Sequence, residues 1–409
     1  MTRLWILNHY ANTPSYPGPI RHHELAKRLV ANGFDVTIIA SAFRGVFGSH
    51  PMTGDETVLT SMIDGVRHVW TRAEFTYRTN DAARMRNMAE YAWRTWRGGR
   101  TCFDGRVPPP DLVLGTSPHL LAPLAAWLLS RRFRVPFVME VRDLWPETFV
   151  AFGLFPRWHP IVLALRLLER FLYRRARRIV SLLPEAWRYI ERSGVPADRV
   201  VWVPNGITVE DEVPQPPASA SGEPFTLLYA GTHGRANALD ELIDAAALLQ
   251  GRNVPVRILL VGDGPAKAGL VERAEALKLR NVEFRGELPR EEIRSVTRRA
   301  DAFVALLEDT YLYRYGTSLN KVFDYMGDAR PIVLAGRMAK NYVQEAACGL
   351  TPPPRDAEAL AEAIEELVAL PEDERRRMGL RGRRYVEVHH NWDHLAQRLA
   401  ETLGELIRK

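Results

Sequence analysis

A short polar loop that leads into a helix is the strongest candidate binding site in this sequence. The loop is Gly316-Thr317-Ser318, and the predicted helix after it carries Asn320, Lys321 and Asp324. The first backbone N–H groups of a helix and its positive dipole end point to one place, which suits a diphosphate. Lys321 adds a positive charge, and Asp324, about one helical turn further on, can accept hydrogen bonds from sugar hydroxyls. These residue types at this spacing predict a nucleotide-sugar site.

Glycine-containing loops follow the first two predicted strands of the second half of the chain. The residues of interest at these strand ends are Gly231, Thr232, Gly262 and Gly264. Glycine allows the backbone to approach a pyrophosphate closely, and the same residues also serve ordinary tight turns. We predict that Arg235, together with Lys321, supplies positive charge to a departing diphosphate.

In the first half of the chain, a charged run comes directly after an apolar strand. Arg142 and Asp143 follow Val141 and precede Trp145-Pro146. The carboxyl end of a parallel sheet is the edge at which such folds bind ligands. We predict that Asp143 orients an acceptor hydroxyl and that Arg142 meets a phosphate or holds Asp143 in place. A purely structural Arg–Asp ion pair is the alternative.

The loop between the first predicted strand and the first helix contains Gly18. In a doubly wound fold this loop faces the ligand. No G-x-G-x-x-G run follows the strand, which argues against a nicotinamide dinucleotide. One interpretation of Gly18 is a contact to donor phosphate or to acceptor, and the other is an ordinary turn followed by an exposed Arg21.

The sequence offers little for a metal ion. Only Cys102 and Cys348 are present, the histidines lack the spacing of metal ligands, and there is no D-x-D triplet. We therefore expect no metal and no cofactor other than the donor substrate itself. Backbone amides, a helix dipole and one or two cations would then stabilise a leaving diphosphate.

The elements that must position these residues alternate between short apolar runs and segments of helical period. This pattern predicts parallel sheets with helices on both faces. The predicted strands are 4–7, 36–40, 112–115, 137–140, 178–182, 200–203, 225–229, 256–261, 282–284, 302–306 and 332–334. The first helix is predicted at 24–32 and the last at 392–407.

The run G-T-S-L-N-K-V-F-D-Y-M, from Gly316 to Met326, resembles the donor segment of retaining GT-B glycosyltransferases of the group 1, or family 4, type. It is similar above all to bacterial transferases that build surface polysaccharides, such as the N-acetyl-L-fucosamine transferases. The run Arg142 to Pro146 is typical of the same group. The wider family has two glutamates where this chain has Gly316 and Asp324.

The resemblance implies two Rossmann-like domains with a cleft between them, and a metal-independent transfer that retains the anomeric configuration. Asp324 would hold the nucleotide ribose, and the backbone at Glu287 and Leu288 would contact the base. In many relatives an arginine and a lysine stand at the positions of Thr232 and Asn237. We predict a UDP-linked sugar as donor and a glycan or lipid-linked intermediate of polysaccharide synthesis as acceptor. A soluble natural product or cyclitol as acceptor, a non-hydrolysing epimerase and a nucleotide-sugar sensor are the alternatives.

The length of 409 residues favours two domains. We predict an N-terminal acceptor-binding domain at 1–206, a linker at 207–224 that is rich in Pro, Ser and Ala, and a C-terminal nucleotide-sugar-binding domain at 225–388. By resemblance, residues 389–409 should form a helix that packs back onto the first domain.

Charge is uneven along the chain. Up to Gly206 there are 28 Lys+Arg against 17 Asp+Glu, and the remainder has 27 against 32. Charge alone does not choose between nucleic acid, an anionic membrane and a phosphorylated substrate. We predict an anionic membrane and a phosphorylated substrate as partners, and no nucleic acid.

The basic, aromatic segments 84–97 and 166–178 would each lie on a membrane surface or pack on the core. Without a signal peptide or a spanning segment, we expect a cytoplasmic protein, at the inner face of the membrane if it binds lipid.

Overall fold

The computed structural model describes residues 1–16, 18, 20–43, 52, 56–77, 82–209, 212–213, 224–288 and 290–407. Two compact units make up the chain: unit 1 is Met1–Asn205 with Trp392–Lys409, and unit 2 is Gly206–Asn391. Most of the predicted linker at 207–224 lies outside the described residues. In the described part of the chain, no helix is both long and apolar enough to cross a membrane.

Unit 1 is built on an eight-stranded sheet. In spatial order its strands are β3 (Val58–Ile63), β4 (Val66–Thr71), β2 (Phe34–Ser41), β1 (Thr2–Leu7), β5 (Leu112–Thr116), β6 (Phe137–Val141), β7 (Arg178–Ser181) and β8 (Val200–Trp202). Every pair is parallel except β3 with β4. Because β1 lies between β2 and β5, the chain reverses direction across the sheet there, and such a switch point is where open α/β sheets bind ligands.

The helices of unit 1 cover both faces of this sheet. They are α1 (Arg21–Ala31), α2 (Ala82–Arg100), α3 (Leu121–Phe133), α4 (Glu147–Ala151), α5 (Pro160–Arg175), α6 (Ala186–Ile190) and, from the end of the chain, α14 (Trp392–Gly404). The apolar side of α1 presents Leu25 and Leu29 to a core cluster that also contains Leu395 and Leu399 of α14. The last helix is thus part of the core of unit 1.

Unit 2 contains a six-stranded sheet in which all pairs are parallel. In spatial order its strands are β11 (Val282–Arg285), β10 (Val256–Val261), β9 (Phe225–Ala230), β12 (Ala302–Leu306), β13 (Ile332–Ala335) and β14 (Gly349–Leu350). Its helices are α7 (Leu239–Gly251), α8 (Lys267–Ala276), α9 (Arg290–Thr297), α10 (Asn320–Gly327), α11 (Tyr342–Ala346), α12 (Ala357–Ala369) and α13 (Glu372–His389). The switch point of this sheet lies between β9 and β12.

The predicted fold class is confirmed, since both units are doubly wound and every strand pair except β3 with β4 is parallel. Strands β3, β4 and β14 were not predicted. In β3 most side chains are only half-buried, so this edge strand lacks the continuous apolar run that marks a central strand. The first helix begins at Arg21 rather than residue 24, and α10 begins at Asn320 rather than near Ser318.

Candidate functional site

Two glycine loops meet at the carboxyl edge of the sheet in unit 2. The Gly231 N–H, after β9, donates a hydrogen bond to Val261 O at the end of β10, at 3.0 Å. Gly262 has φ of 132°, and a Cβ added there would lie 2.1 Å from Gly231 O. Only glycine permits this approach. The two loops are therefore held together through their backbones.

The same contact continues further along both loops. The His233 N–H donates to Asp263 O at 2.8 Å, and a Cβ added at Gly264 would lie 2.4 Å from His233 O. The Gly262 N–H also donates to Arg285 O at 3.2 Å, which brings in the loop after β11 that carries Glu287 and Leu288. The structure thus gathers Gly231, Thr232, Gly262 and Gly264 at one edge and places the predicted base-side loop next to them. Pro289, at the end of that loop, lies outside the described residues.

Lys321 of α10 reaches this edge. Its Nζ donates to the Tyr229 hydroxyl at 2.7 Å and to Asn237 Oδ1 at 2.9 Å. It also lies 4.2 Å from the centroid of the Tyr229 ring. A Cβ added at Gly231 would be 3.1 Å from Nζ. The ammonium group therefore lies at the junction of the glycine loops and α10, where a diphosphate would need a cation.

Burial and the neighbouring residue Asn237 both bear on the charge of Lys321. Desolvation lowers the pKa of Lys321 to about 7, so that an anion bound beside it would favour the protonated form. Its partner Asn237 occupies the position at which the resemblance places a lysine. The neutral amide of Asn237 accepts a hydrogen bond from the Lys321 ammonium group there.

Hydrogen bonds fix the loop before α10. Gly316 has φ of 97°, and its N–H donates to Tyr313 O at 2.9 Å. The Tyr342 hydroxyl donates to Thr317 O at 3.1 Å. Leu319 precedes the helix and makes no side-chain cap hydrogen bond to it.

The remaining predicted residues of unit 2 are more exposed. Ser318 is half-buried, whereas Asn320 and Asp324 on α10 are exposed. Arg235 is exposed on the 3-10 turn Arg235–Asn237, the turn whose last residue accepts a hydrogen bond from Lys321. All of these residues are on elements that border the glycine loops.

Two residues at this edge were not predicted. Lys267, at the first position of α8, donates to Gly262 O at 3.3 Å. A cation is unfavourable at the positive N-terminal end of a helix dipole. A lysine at the first position of a predicted helix could therefore have indicated a binding role from the sequence. His233 is fully buried, and neither ring nitrogen has a hydrogen-bond partner among the described residues. Desolvation, followed by Lys267, lowers the pKa of His233 and favours its neutral form.

A buried polar network lies at the switch point of unit 1. Glu140, at the end of β6, accepts from Arg21 Nε at 3.0 Å and from the Thr116 hydroxyl at 2.7 Å. His22 Nε2 lies 2.7 Å from Glu140 Oε2, the oxygen atom that also accepts from Thr116, and its Nδ1 lies 2.8 Å from Asn8 Nδ2. The network joins β1, α1, β5 and β6.

Hydrogen bonding fixes the form of His22. The Tyr10 N–H donates to Asn8 Oδ1 at 3.1 Å, so the Asn8 amide NH₂ faces His22 Nδ1. Nδ1 must then accept, and Nε2–H donates to Glu140. Desolvation lowers the pKa of His22, which agrees with this neutral tautomer. Although burial opposes ionisation, His22 and Arg21 hold the pKa of Glu140 well below its usual range.

Arg21 is buried, so the interpretation of an exposed Arg21 after Gly18 is wrong. Its guanidinium also donates to Val203 O at 2.8 Å. This cation is drawn inward because Glu140 and backbone carbonyls at the end of β8 together satisfy its donors. Gly18 itself is exposed with φ of 120°, and Pro17 and Pro19 on either side of it lie outside the described residues.

Arg142 and Asp143 directly follow this network. The Arg142 N–H donates to the Ser117 hydroxyl, after β5, at 3.3 Å. The Asp143 side chain is exposed at the carboxyl edge of the sheet. Although this side chain reaches solvent, the protein around it partly desolvates the carboxylate and raises the pKa of Asp143, while Arg142 acts in the opposite direction. The predicted acceptor-side residues are thus in unit 1 and the predicted donor-side residues in unit 2.

No group of three or more metal-ligating side chains is found in the described ranges. The cations on the elements that border the glycine loops are Lys321, Lys267 and Arg235, and backbone N–H groups lie beside them. Such a set can bind a diphosphate and stabilise it as a leaving group.

Comparison with known proteins finds matches to both parts of the chain. The family model named Glycosyl transferase 4-like domain matches residues 18–206, and the model named Glycosyl transferases group 1 matches residues 224–369. A probable glycosyltransferase, WbjE of Pseudomonas aeruginosa, is 24% identical over 274 residues, which is 64% of this chain and 66% of that protein.

Solved structures share the fold over nearly the whole chain. Sucrose-phosphate synthase from Thermosynechococcus elongatus superposes with a TM-score of 0.77 at 17% identity, covering 100% of both chains. HepE of Anabaena, in complex with UDP and glucose, gives a TM-score of 0.70 at 16% identity, covering 99% of this chain and 100% of that one. At these identities the likeness concerns the GT-B fold.

Proposed function

Because the chain belongs to the group 1 glycosyltransferases, we propose that it transfers a sugar from a UDP-linked donor to an acceptor hydroxyl, with retention of configuration and without a metal ion. One observation carries the donor assignment. The ammonium group of Lys321 lies beside the Gly231 loop and at the uncapped start of α10. UDP is chosen because HepE, which shares the fold, binds it.

In the proposed reaction the bond between the anomeric carbon and the diphosphate oxygen breaks while the acceptor oxygen bonds to the same face of that carbon. The acceptor proton passes to the departing phosphate. Lys321, Arg235, Lys267 and the amides near Ser318 stabilise the charge that develops on the diphosphate. Asp324 holds the ribose, the backbone of Glu287 and Leu288 contacts the base, and Asp143 with Arg142 orients the acceptor.

A ligand screen tests the donor assignment. UDP should raise the apparent melting temperature more than ADP or GDP. A ligand that binds only the folded form adds about 2.7 kcal/mol to the free energy of unfolding at one hundred times its Kd.

With the matching UDP-sugar and an acceptor, NMR of the product should show the anomeric configuration of the donor. Stabilisation by another nucleoside diphosphate alone, or an inverted product, would contradict the proposal. An epimerised sugar formed without acceptor would indicate the epimerase alternative, and binding without turnover would indicate a sensor.

We further propose that the acceptor is lipid-linked and that the protein works at the inner face of the membrane. The support is a set of exposed apolar side chains, the α5 surface: Leu163 and Leu167 lie on one face of α5, Ile161 is in its first turn, and Leu154 and Trp158 come just before the helix. Trp158 and Leu167 are 72% and 70% exposed. Further along the same helix face, Arg170 and Arg174 are exposed as well. Apolar residues beside arginines suit the boundary of an anionic bilayer.

The other basic, aromatic helix is more firmly packed. In α2, Met88 and Tyr91 are buried, and the Arg97 guanidinium lies over the Trp93 ring at 5.3 Å. Of its apolar residues, Met85 and Trp93 are about half exposed, at 49% and 50%. We therefore assign lipid contact to α5 rather than α2.

Replacing Leu163 and Leu167 together by Ser should lower binding to phosphatidylglycerol vesicles at least tenfold, since each buried leucine is worth about 1.5–3 kcal/mol. Co-sedimentation at low and high salt measures this. The matched control is Leu277→Ser with Leu380→Ser, two exposed leucines of unit 2. If both double variants bind vesicles as the original protein does, or if the original protein does not bind, the lipid assignment fails.

A further inference from the structure

A basic pocket lies in unit 1, away from the residues considered so far. It has a volume of about 1130 Å³ and is lined by the ends of α3 and α5, the starts of β6 and β7, and part of the C-terminal segment. Seven arginines and a single acidic residue, Glu405, are among its lining residues. A pocket of this size accommodates a ligand with several charged groups.

Among the described residues, most of these arginines have no acidic partner. Arg178 donates to Glu405 at 2.9 Å, and Arg174 donates to Ser193 O at 2.8 Å. Arg134, Arg177 and Arg199 are exposed and make no ion pair within the described chain. The pocket therefore holds a concentration of positive charge that its own residues do not neutralise, and such self-repulsion disfavours the compact state.

Helix dipoles explain only part of this cluster. Cations are stabilising in the last turn of a helix, which accounts for Arg174 and Arg175 in α5. Arg177 lies outside the helices, and Arg199 ends only the three-residue 3-10 turn Ala197–Arg199. Arg134 ends α3 with φ of 57° and ψ of 40°, a left-handed conformation in which glycine is the usual residue.

The pocket is on the opposite edge of the sheet from the network of Glu140. Phe137 and Arg178 begin β6 and β7, whereas Arg142 and Asp143 follow the carboxyl end of β6. A ligand in the pocket would thus be separated from these residues by the length of a strand. It would be distinct from the donor site too, since that site lies in unit 2.

We propose that this pocket binds a polyanion that carries several phosphate groups. The guanidinium fork matches phosphate oxygens in pairs, and a multiply charged ligand would relieve the repulsion among several arginines at once. Such phosphates come from the headgroups of anionic lipids or from a soluble oligophosphate. Arg174 belongs both to the pocket and to the exposed face of α5, so a headgroup could be reached while α5 lies on a bilayer.

Inorganic tripolyphosphate is the probe for this site. Titration calorimetry with the full chain should show binding that weakens as salt is raised. The triple variant Arg134→Gln, Arg177→Gln, Arg199→Gln should bind tripolyphosphate at least tenfold more weakly than the original protein. Because it removes mutually repelling charges, this variant should melt no lower than the original protein. A control with Arg376→Gln and Arg377→Gln, two exposed arginines of α13, should bind as before.

Vesicles that contain cardiolipin, a lipid whose headgroup carries two phosphates, separate the two sources of phosphate. Loss of vesicle binding in the triple variant with α5 intact would identify the lipid headgroup, and loss of tripolyphosphate binding alone would identify a soluble ligand; each supports the site. UDP binding should be the same in the triple variant and in the original protein, so failure of the donor assignment is seen separately. Tripolyphosphate affinity that is unchanged in the triple variant, or absent in the original protein, would overturn the inference.

Discussion

Lys321→Met should lower kcat/KM by about 10²–10³, the cost of removing one preorganised donor to a developing anion. The ammonium group lies beside the Gly231 loop, and hydrogen bonds to Tyr229 and Asn237 hold it there. Methionine fills a similar volume without the charge, so the fold should remain. Steady-state kinetics with the identified donor measure the change.

The pH dependence separates loss of charge from loss of packing. Since desolvation lowers the pKa of Lys321 to about 7, the original protein should lose kcat/KM as pH rises above 7, where the lysine becomes neutral. The variant should lack this alkaline limb. Lys340→Met, which removes another half-buried lysine of unit 2, is the control. An unchanged kcat/KM in Lys321→Met would remove this residue from the mechanism.

Glu140→Ala should destabilise unit 1 by about 3–5 kcal/mol, because it leaves the buried Arg21 charge without its counterion. His22 and Thr116 lose an acceptor at the same time. Thermal or urea unfolding followed by tryptophan fluorescence measures this loss. For a unit of this size, each kcal/mol corresponds to about 2–4 °C in Tm.

The comparison with Asp35→Ala tests whether burial is the cause. Asp35 pairs with Arg67 at 3.1 Å, but both side chains are partly exposed, so about 1 kcal/mol or less should be lost. The pKa of Glu140 is lower in the folded state than in the unfolded chain, so its stabilisation is present at neutral pH and disappears as pH falls through the lowered value. Equal losses in the two variants would show that the network does not hold the unit together.

The sheets could be predicted because central parallel strands are apolar on both faces. Val256–Val261 and Ala302–Leu306 lie at the predicted positions. The edge strand β3 was missed for the opposite reason, and the start of α1 was missed because its first residues, Arg21 and His22, are polar yet buried. Polarity alone does not reveal that a distant carboxylate will neutralise a cation.

The candidate site could be predicted only in part. The segment around Lys321 and the glycines after β9 and β10 were identified from local spacing, and their roles stay predictions. The hydrogen bonds from Lys321 to Tyr229 and Asn237 join residues 92 and 84 positions apart, and the chain pattern does not encode such distances. His233 and the arginine pocket were missed because what distinguishes them, unpaired nitrogens and converging charges, arises only on folding.

The placement of α14 has a consequence for synthesis on the ribosome. Unit 2 is one continuous stretch, Gly206–Asn391, and can complete its fold as soon as it has emerged. Unit 1 begins first but needs Trp392–Gly404 to cover Leu25 and Leu29 on α1. Its nascent form therefore exposes this apolar surface until Trp392–Gly404 has left the ribosome. A stop codon or a proteolytic cut just before Trp392 would harm the N-terminal unit and spare the C-terminal one.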